Sequence, residues 1–90
     1  MGLPYPNPSG GEPVIVEMAL QGMSEVEWSV FTTAYRKVRS ERSSSRGNQR
    51  IIWDLTDSKG KPVASGVYYL RILVTGPRNM EVLRKVMVLR

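Results

Sequence analysis

Gly66-Val67-Tyr68-Tyr69-Leu70-Arg71-Ile72-Leu73-Val74-Thr75 alternates throughout: Tyr68, Leu70, Ile72 and Val74 fall on one side of an extended chain, Val67, Tyr69 and Leu73 on the other. Aromatic and β-branched residues at period two are the composition of a strand packed on both faces. Downstream, Gly76-Pro77-Arg78-Asn79 is a turn, and Met80 to Leu89 returns as a final strand. Upstream, Pro62 to Ser65 reads as a short edge strand. Before it, Asp57-Ser58-Lys59-Gly60 is a turn, because Gly supplies positive φ and Asp can bond its own backbone.

The same period continues towards the N-terminus. Gln49 to Asp54 places Ile51 and Trp53 on one side, and Ser43 to Asn48 before it is polar and reads as a loop. Arg36 to Arg42 has Val38 as its single strong anchor, which suits a charged sheet edge. Glu25 to Phe31 turns Val26, Trp28 and Val30 inward and Glu25, Glu27 and Ser29 outward; Val14, Val16, Met18 and Leu20 share a side in the strand before it, and Gln21-Gly22 separates the two. Residues 1–13 hold four prolines with Gly, Ser and Asn and form an extended lead-in or linker, ahead of a domain over 14–90. Met1-Gly2 before Leu3-Pro4 reads as a start added to an excised fragment, so a signal peptide would belong to the missing part. The expectation is an all-β, immunoglobulin/fibronectin-III-like sandwich of about seven antiparallel strands. Trp28, Trp53 and Tyr68 would lie between its two layers.

Bulk properties narrow the chemistry. The chain has 90 residues, no Cys and no His, which removes disulfides, thiolate metal sites and the usual proton shuttle and imidazole ligand. No stretch is apolar for the roughly 20 residues a transmembrane segment needs. The net charge of +5, with an isoelectric point near 10.0, favours anionic partners.

Three blocks, in order, resemble the FlgD-type Ig-like domain, and more closely the C-terminal sorting or anchoring domain of exported bacterial proteins that use type IX, Por-type secretion. They are Tyr5-Pro6-Asn7-Pro8; Ile52-Trp53-Asp54 with Asp57-Ser58-Lys59-Gly60-Lys61-Pro62-Val63; and Ala64 to Ile72 with its Ser-Gly-Val-Tyr core, closed by Lys85-Val86-Met87-Val88-Leu89-Arg90. The resemblance spans Tyr5 to Arg90. Two positions depart from it: Leu55 stands where the family has Gly after Trp-Asp, and Ala34-Tyr35 stands where it has a turn Gly. Those turns must avoid positive φ, or Tyr35 must tolerate strain.

The resemblance implies a non-catalytic module at the C-terminus of a larger exported protein, acting in secretion sorting and attachment, and located outside the cell or on its surface. Its partners would be the secretion apparatus or a surface component, and the upstream domains of the parent. Recognition would use the final strands: Gly66, Val67 and Tyr68 with Lys85, Val86 and Arg90. Two other functions compete: an assembly module like the Ig-like domain of flagellar hook capping, and a module binding carbohydrate or an anionic polymer.

Individual residues invite sharper readings. Arg36, Arg39, Arg42 and Arg46 could contact an anionic partner; against this, a solvated edge strand is the simpler account. Nucleic acid is not expected, because its readers interleave exposed aromatics with the cations. Asp54 and Asp57 could ligate calcium, but a third acid is lacking and Asx-turn capping explains them. Aromatic rings could stack on a sugar; core packing accounts for Trp28, Trp53 and Tyr68, and leaves Tyr69 as the best exposed candidate. Ser43 to Ser45 have no histidine base and Gly10-Gly11 no phosphate-loop Lys, so no enzyme, cofactor or metal is expected, and the isolated domain should be monomeric.

Overall fold

A computed structural model describes residues 2–90; Met1, with the reading of it as an added start, lies outside them. The chain is all-β and has no helix among the described residues, so none is long and apolar enough to cross a membrane. Four strands form one antiparallel sheet: β1 (Val14–Thr32), β2 (Lys37–Trp53), β3 (Gly66–Thr75) and β4 (Met80–Val88), in the order β2-β1-β3-β4.

Seven short strands were expected and four are present, two of them unusually long. The segments 14–20 and 25–31 are one strand, as are 36–42 and 49–54. Pro62 to Ser65 contributes only a single bridge, Thr56 with Pro62. Gln21-Gly22 is therefore no turn. Between the pairs Leu20–Gly47 and Ser24–Ser45, β1 has three residues against one on β2. Two extra residues preserve side-chain parity, so Val14, Val16, Met18 and Leu20 stay on the same face as Val26, Trp28 and Val30. Gly22 (φ 76°) and Gly47 (φ 73°) flank this irregularity, each in a conformation that side chains resist. Ser43 to Ser45, polar and read as a loop, pair with Val26, Glu25 and Ser24: the β1 ladder overrides their weak strand propensity.

The core joins the two parts of this sheet. Residues of the β1–β2 base (Val14, Val16, Met18, Ile51, Trp53) and of the β1–β3–β4 part (Val26, Trp28, Val30, Leu70, Ile72, Val74, Val86, Val88) belong to one buried cluster. Trp53, fully buried, meets Tyr68 edge-on, with ring centroids 5.4 Å apart and planes at 68°. Its indole N–H donates to Thr56 O at 2.9 Å, so burial leaves no orphan donor. Trp28 is buried as well, at 8% exposure, with the Arg39 guanidinium 5.8 Å above its ring.

Two non-glycine residues sit at positive φ: Tyr35 (60°) and Leu55 (63°). These are the positions that depart from the family pattern, so both turns keep the left-handed backbone without the glycine. Leu55 is fully buried, whereas Tyr35 is exposed and stacks on Tyr69, with centroids 6.4 Å apart and planes at 11°.

Candidate functional site

The three blocks of the resemblance meet at one end of the β3–β4 hairpin. Gly66, Val67 and Tyr68 pair with Val88, Met87 and Val86. The lead-in lies along the outer edge of β4. Asn7 Nδ2 donates to Lys85 O at 2.9 Å, and Met87 N–H donates to Asn7 Oδ1 at 2.9 Å. Ser9 N–H donates to Met87 O (2.8 Å), and Leu89 N–H donates to Ser9 O (2.7 Å). Ser9 is fully buried, and its hydroxyl donates to Glu12 O at 2.6 Å. Tyr5 bridges to Ile15, so the same segment also touches β1. The Tyr5–Pro6 and Asn7–Pro8 peptides are cis. Arg90 closes the end: its N–H donates to Ser65 Oγ (2.8 Å), and Nη2 donates to Leu55 O (3.1 Å).

The six residues expected to serve sorting divide by burial. Tyr68 and Val86 are core; the Tyr68 hydroxyl donates to Ala64 O at 2.7 Å, and burial raises its pKa above the usual phenol value. Gly66 and Val67 are half-buried, and Lys85 and Arg90 are exposed. Any partner at this end meets Val67, Lys85 and Arg90.

The four arginines expected at an anionic partner are not equivalent. Arg39 Nη1 donates to Asp54 Oδ1 and to Thr56 Oγ1, both at 2.7 Å, and Nη2 to Glu41 Oε1 at 3.0 Å. Arg42 pairs with Glu27 (2.7 Å) and Glu25 (3.2 Å) across the β1–β2 ladder, and that bond holds the Glu27 carboxyl below its ordinary pKa. Arg36 and Arg46 are exposed and have no ion pair among the described residues.

Asp54 and Asp57 line one shallow depression with Glu41, and each is hydrogen-bonded within its own turn. Asp54 accepts from the Thr56 hydroxyl and backbone N–H and from Arg39, which lowers its pKa, the Thr56 hydroxyl first. Asp57 Oδ1 accepts from the N–H groups of Lys61 (3.0 Å) and Lys59 (2.9 Å), and these lower its pKa in turn. Both carboxylates hold the 54–61 turn together.

Sequence reasoning missed two features. On the outer face of the sheet, Phe31, Tyr35, Tyr69 and Leu83 line a groove of about 290 Å³ flanked by Arg71 and Glu81. The signal was Tyr69 on the side of β3 opposite the core; Tyr35 and Phe31 join it only through the β1–β2 turn and the Phe31–Tyr69 pairing. The second is a cleft of about 460 Å³ between that turn and the 57–61 turn, bearing Arg36, Lys37, Lys59 and Lys61.

No family model matches the chain. No curated protein sequence matches it either. Among solved structures, the chain is similar to one titled as the crystal structure of dimeric latent PorU from Porphyromonas gingivalis, with a TM-score of 0.80 and 23% sequence identity. The similarity covers 97% of this chain but 9% of that one, so this chain spans a small part of the length of the protein it resembles. At this identity the likeness is one of fold: nearly the whole chain has the architecture of a domain found within a Por protein.

Proposed function

We propose that this chain is a non-catalytic module of a larger exported bacterial protein, of the FlgD-like, Por-type kind, acting in type IX secretion sorting and cell-surface attachment. One observation carries the reading: Tyr5-Pro6-Asn7-Pro8, Ser65-Gly66-Val67-Tyr68 and Lys85 to Arg90, far apart in sequence, are held at one end by Asn7, Ser9, Ser65 and Arg90. The fold shared with a PorU domain supports it. The exposed Lys85 and Arg90 with the half-buried Val67 supply the recognition surface, and Tyr68 and Val86 keep it in shape.

The test is export of a periplasmic reporter fused to this chain in a host with that system. Deleting Lys85 to Arg90 would remove Val86 and Val88 from the core, so loss of export there would report only unfolding. Lys85→Glu with Arg90→Glu is the informative variant, checked for an unchanged circular dichroism spectrum. Export should fall; export at the parental level from the folded double variant would overturn the reading.

A second reading, carbohydrate binding, is favoured by the nearly coplanar Tyr35 and Tyr69 rings beside Arg71 and Glu81. Quenching of tyrosine fluorescence by oligosaccharides, lost in Tyr69→Ala, would support it, and an unchanged signal across a glycan panel would dismiss it.

A further inference from the structure

Charge in this protein is distributed unevenly. Arg39, Arg42, Arg50 and Arg71 are each ion-paired, to Asp54 and Glu41, to Glu25 and Glu27, to Glu17, and to Glu81. These pairs occupy six of the eight acidic residues, leaving Glu12 and Asp57. The excess cations are therefore the unpaired ones, and four of them, Arg36, Lys37, Lys59 and Lys61, line one cleft of about 460 Å³. Asp57 is its single acid, so the cleft has a formal excess of +3, four minus one.

Two fixed turns present these cations. The β1–β2 turn is closed by Thr32 N–H donating to Arg36 O (2.9 Å) and Tyr35 N–H donating to Thr32 O (2.9 Å). The 57–61 turn is closed by Asp57 N–H donating to Lys61 O (2.8 Å) and Gly60 N–H donating to Asp57 O (3.0 Å), and Ser58 N–H donates to Val38 O (3.0 Å), joining it to β2. The Asp57 carboxylate accepts from the backbone of Lys59 and Lys61, and neither ammonium group has an ion pair among the described residues. Like charges gathered along one cleft repel one another unless an anion lies among them.

We propose that this cleft binds a compact, doubly charged oxyanion: the phosphate monoester group of a ligand. A polyanion track is the poorer fit. The arginines that would extend the cluster along β2, Arg39 and Arg42, are neutralised, and the next cation of that strand, Arg46, lies at the Leu20–Ser24 irregularity, near the far end of the β1–β3 ladder from the Thr32–Tyr68 pair at the cleft. A larger depression, of about 600 Å³, lined by Glu17 and Arg50, is internally neutralised by their 3.2 Å ion pair and makes no comparable demand. The proposal does not rest on the secretion reading.

The experiment follows backbone amide shifts of the full chain by NMR during titration with inorganic phosphate at low salt. Saturable shifts confined to Arg36–Val38 and Asp57–Lys61 are expected. Lys59→Gln with Lys61→Gln, which keeps the backbone bonds of the turn, should weaken binding by at least about 25-fold, roughly fivefold for each lysine charge lost against one unit of anionic charge at about 4 Å in water. Arg78→Gln, outside the cleft, should leave binding and thermal midpoint unchanged. Glucose 6-phosphate and vesicles containing phosphatidic acid then distinguish a sugar ester from a lipid headgroup as the natural source; tighter binding of either supports the site. Non-saturating shifts spread over Arg46, Arg78 and Arg84, unchanged binding by the double variant, or tighter binding of oligothymidylate with shifts reaching Arg46 would each overturn it.

Discussion

Replacing Leu55 by alanine and, separately, by glycine should give an order of stability opposite to the usual one. At ordinary backbone angles glycine is the poorer residue by about 0.5–1 kcal/mol, because the unfolded chain gains freedom. Leu55 has φ 63°, where any Cβ crowds the following carbonyl at about 1–2 kcal/mol. Both variants lose a fully buried side chain, costing about 2–5 kcal/mol. Alanine retains the strained Cβ and glycine does not, so Leu55→Gly should be the more stable of the two by about 1 kcal/mol. In a domain of this size that is a difference of roughly 4–8 °C in thermal midpoint.

Urea unfolding followed by tryptophan fluorescence measures the difference, provided the two denaturant slopes agree. Ala64→Gly is the control, because Ala64 has no positive φ; there glycine should destabilise. Tyr35 offers the same comparison without a cavity. Tyr35→Ala keeps the strain and loses the stack on Tyr69, worth about 0.5–1.5 kcal/mol, whereas Tyr35→Gly loses the stack but relieves the strain and should lie close to the parent. Alanine variants as stable as the glycine variants at both sites would refute the reasoning.

Three further outcomes are expected. Gly76→Ala should destabilise by about 1–3 kcal/mol, read by urea unfolding, since a Cβ there would stand 2.5 Å from Ser24 Oγ and 3.1 Å from Met23 O, and Ser24 is itself buried. Arg84→Met should raise the thermal midpoint, because Arg84 Nε is buried with no hydrogen-bond partner among the described residues and the apolar chain covers the same surface. Acid should destabilise the fold below about pH 4: Glu27, Asp54 and Asp57 all have folded pKa values lowered below their unfolded ones, so the unfolded chain binds more protons and their contribution fades as pH falls through the folded values. Melting curves from pH 5 down to 2.5 should show this, with a shallower decline in Asp57→Asn.

Side-chain parity was legible where strands were strong. Every inward residue assigned to Val14–Leu20, Glu25–Phe31 and Gly66–Val74 is buried, as are Ile51 and Trp53, because period-two alternation survives whatever the strands pair with. Strand continuity was not legible. A Gln-Gly pair and a run of serines look like breaks in isolation, and only the partner ladder shows them to be a bulge and a strand. The same gap affects the candidate sites. Arg36 and Arg39 are equal as letters, but Arg39 is bonded to Asp54 and Thr56 from a distant segment, while Arg36 lines a cleft with Lys59 and Lys61. Charge spacing along one strand carries no information about acids that arrive from another.

The treatment of the sheet edges connects these observations. An open four-stranded sheet has two free edges, each a template for pairing with another chain. Here β2 is one edge, and along its length it carries Arg, Ser and Lys that resist a neighbouring strand. The other edge, β4, carries Glu81, Arg84 and Lys85 over its first part, but its end, Val86 to Val88, is apolar; Asn7 and Ser9 occupy the outward-facing backbone groups there, at Lys85, Met87 and Leu89. The proline-rich lead-in therefore completes the fold as well as preceding it, and its prolines, lacking donors, are suited to a final strand position that no further chain can extend. The lead-in is thereby fixed to the same end of the fold that presents Lys85 and Arg90, so a load or a partner acting on one is felt directly by the other.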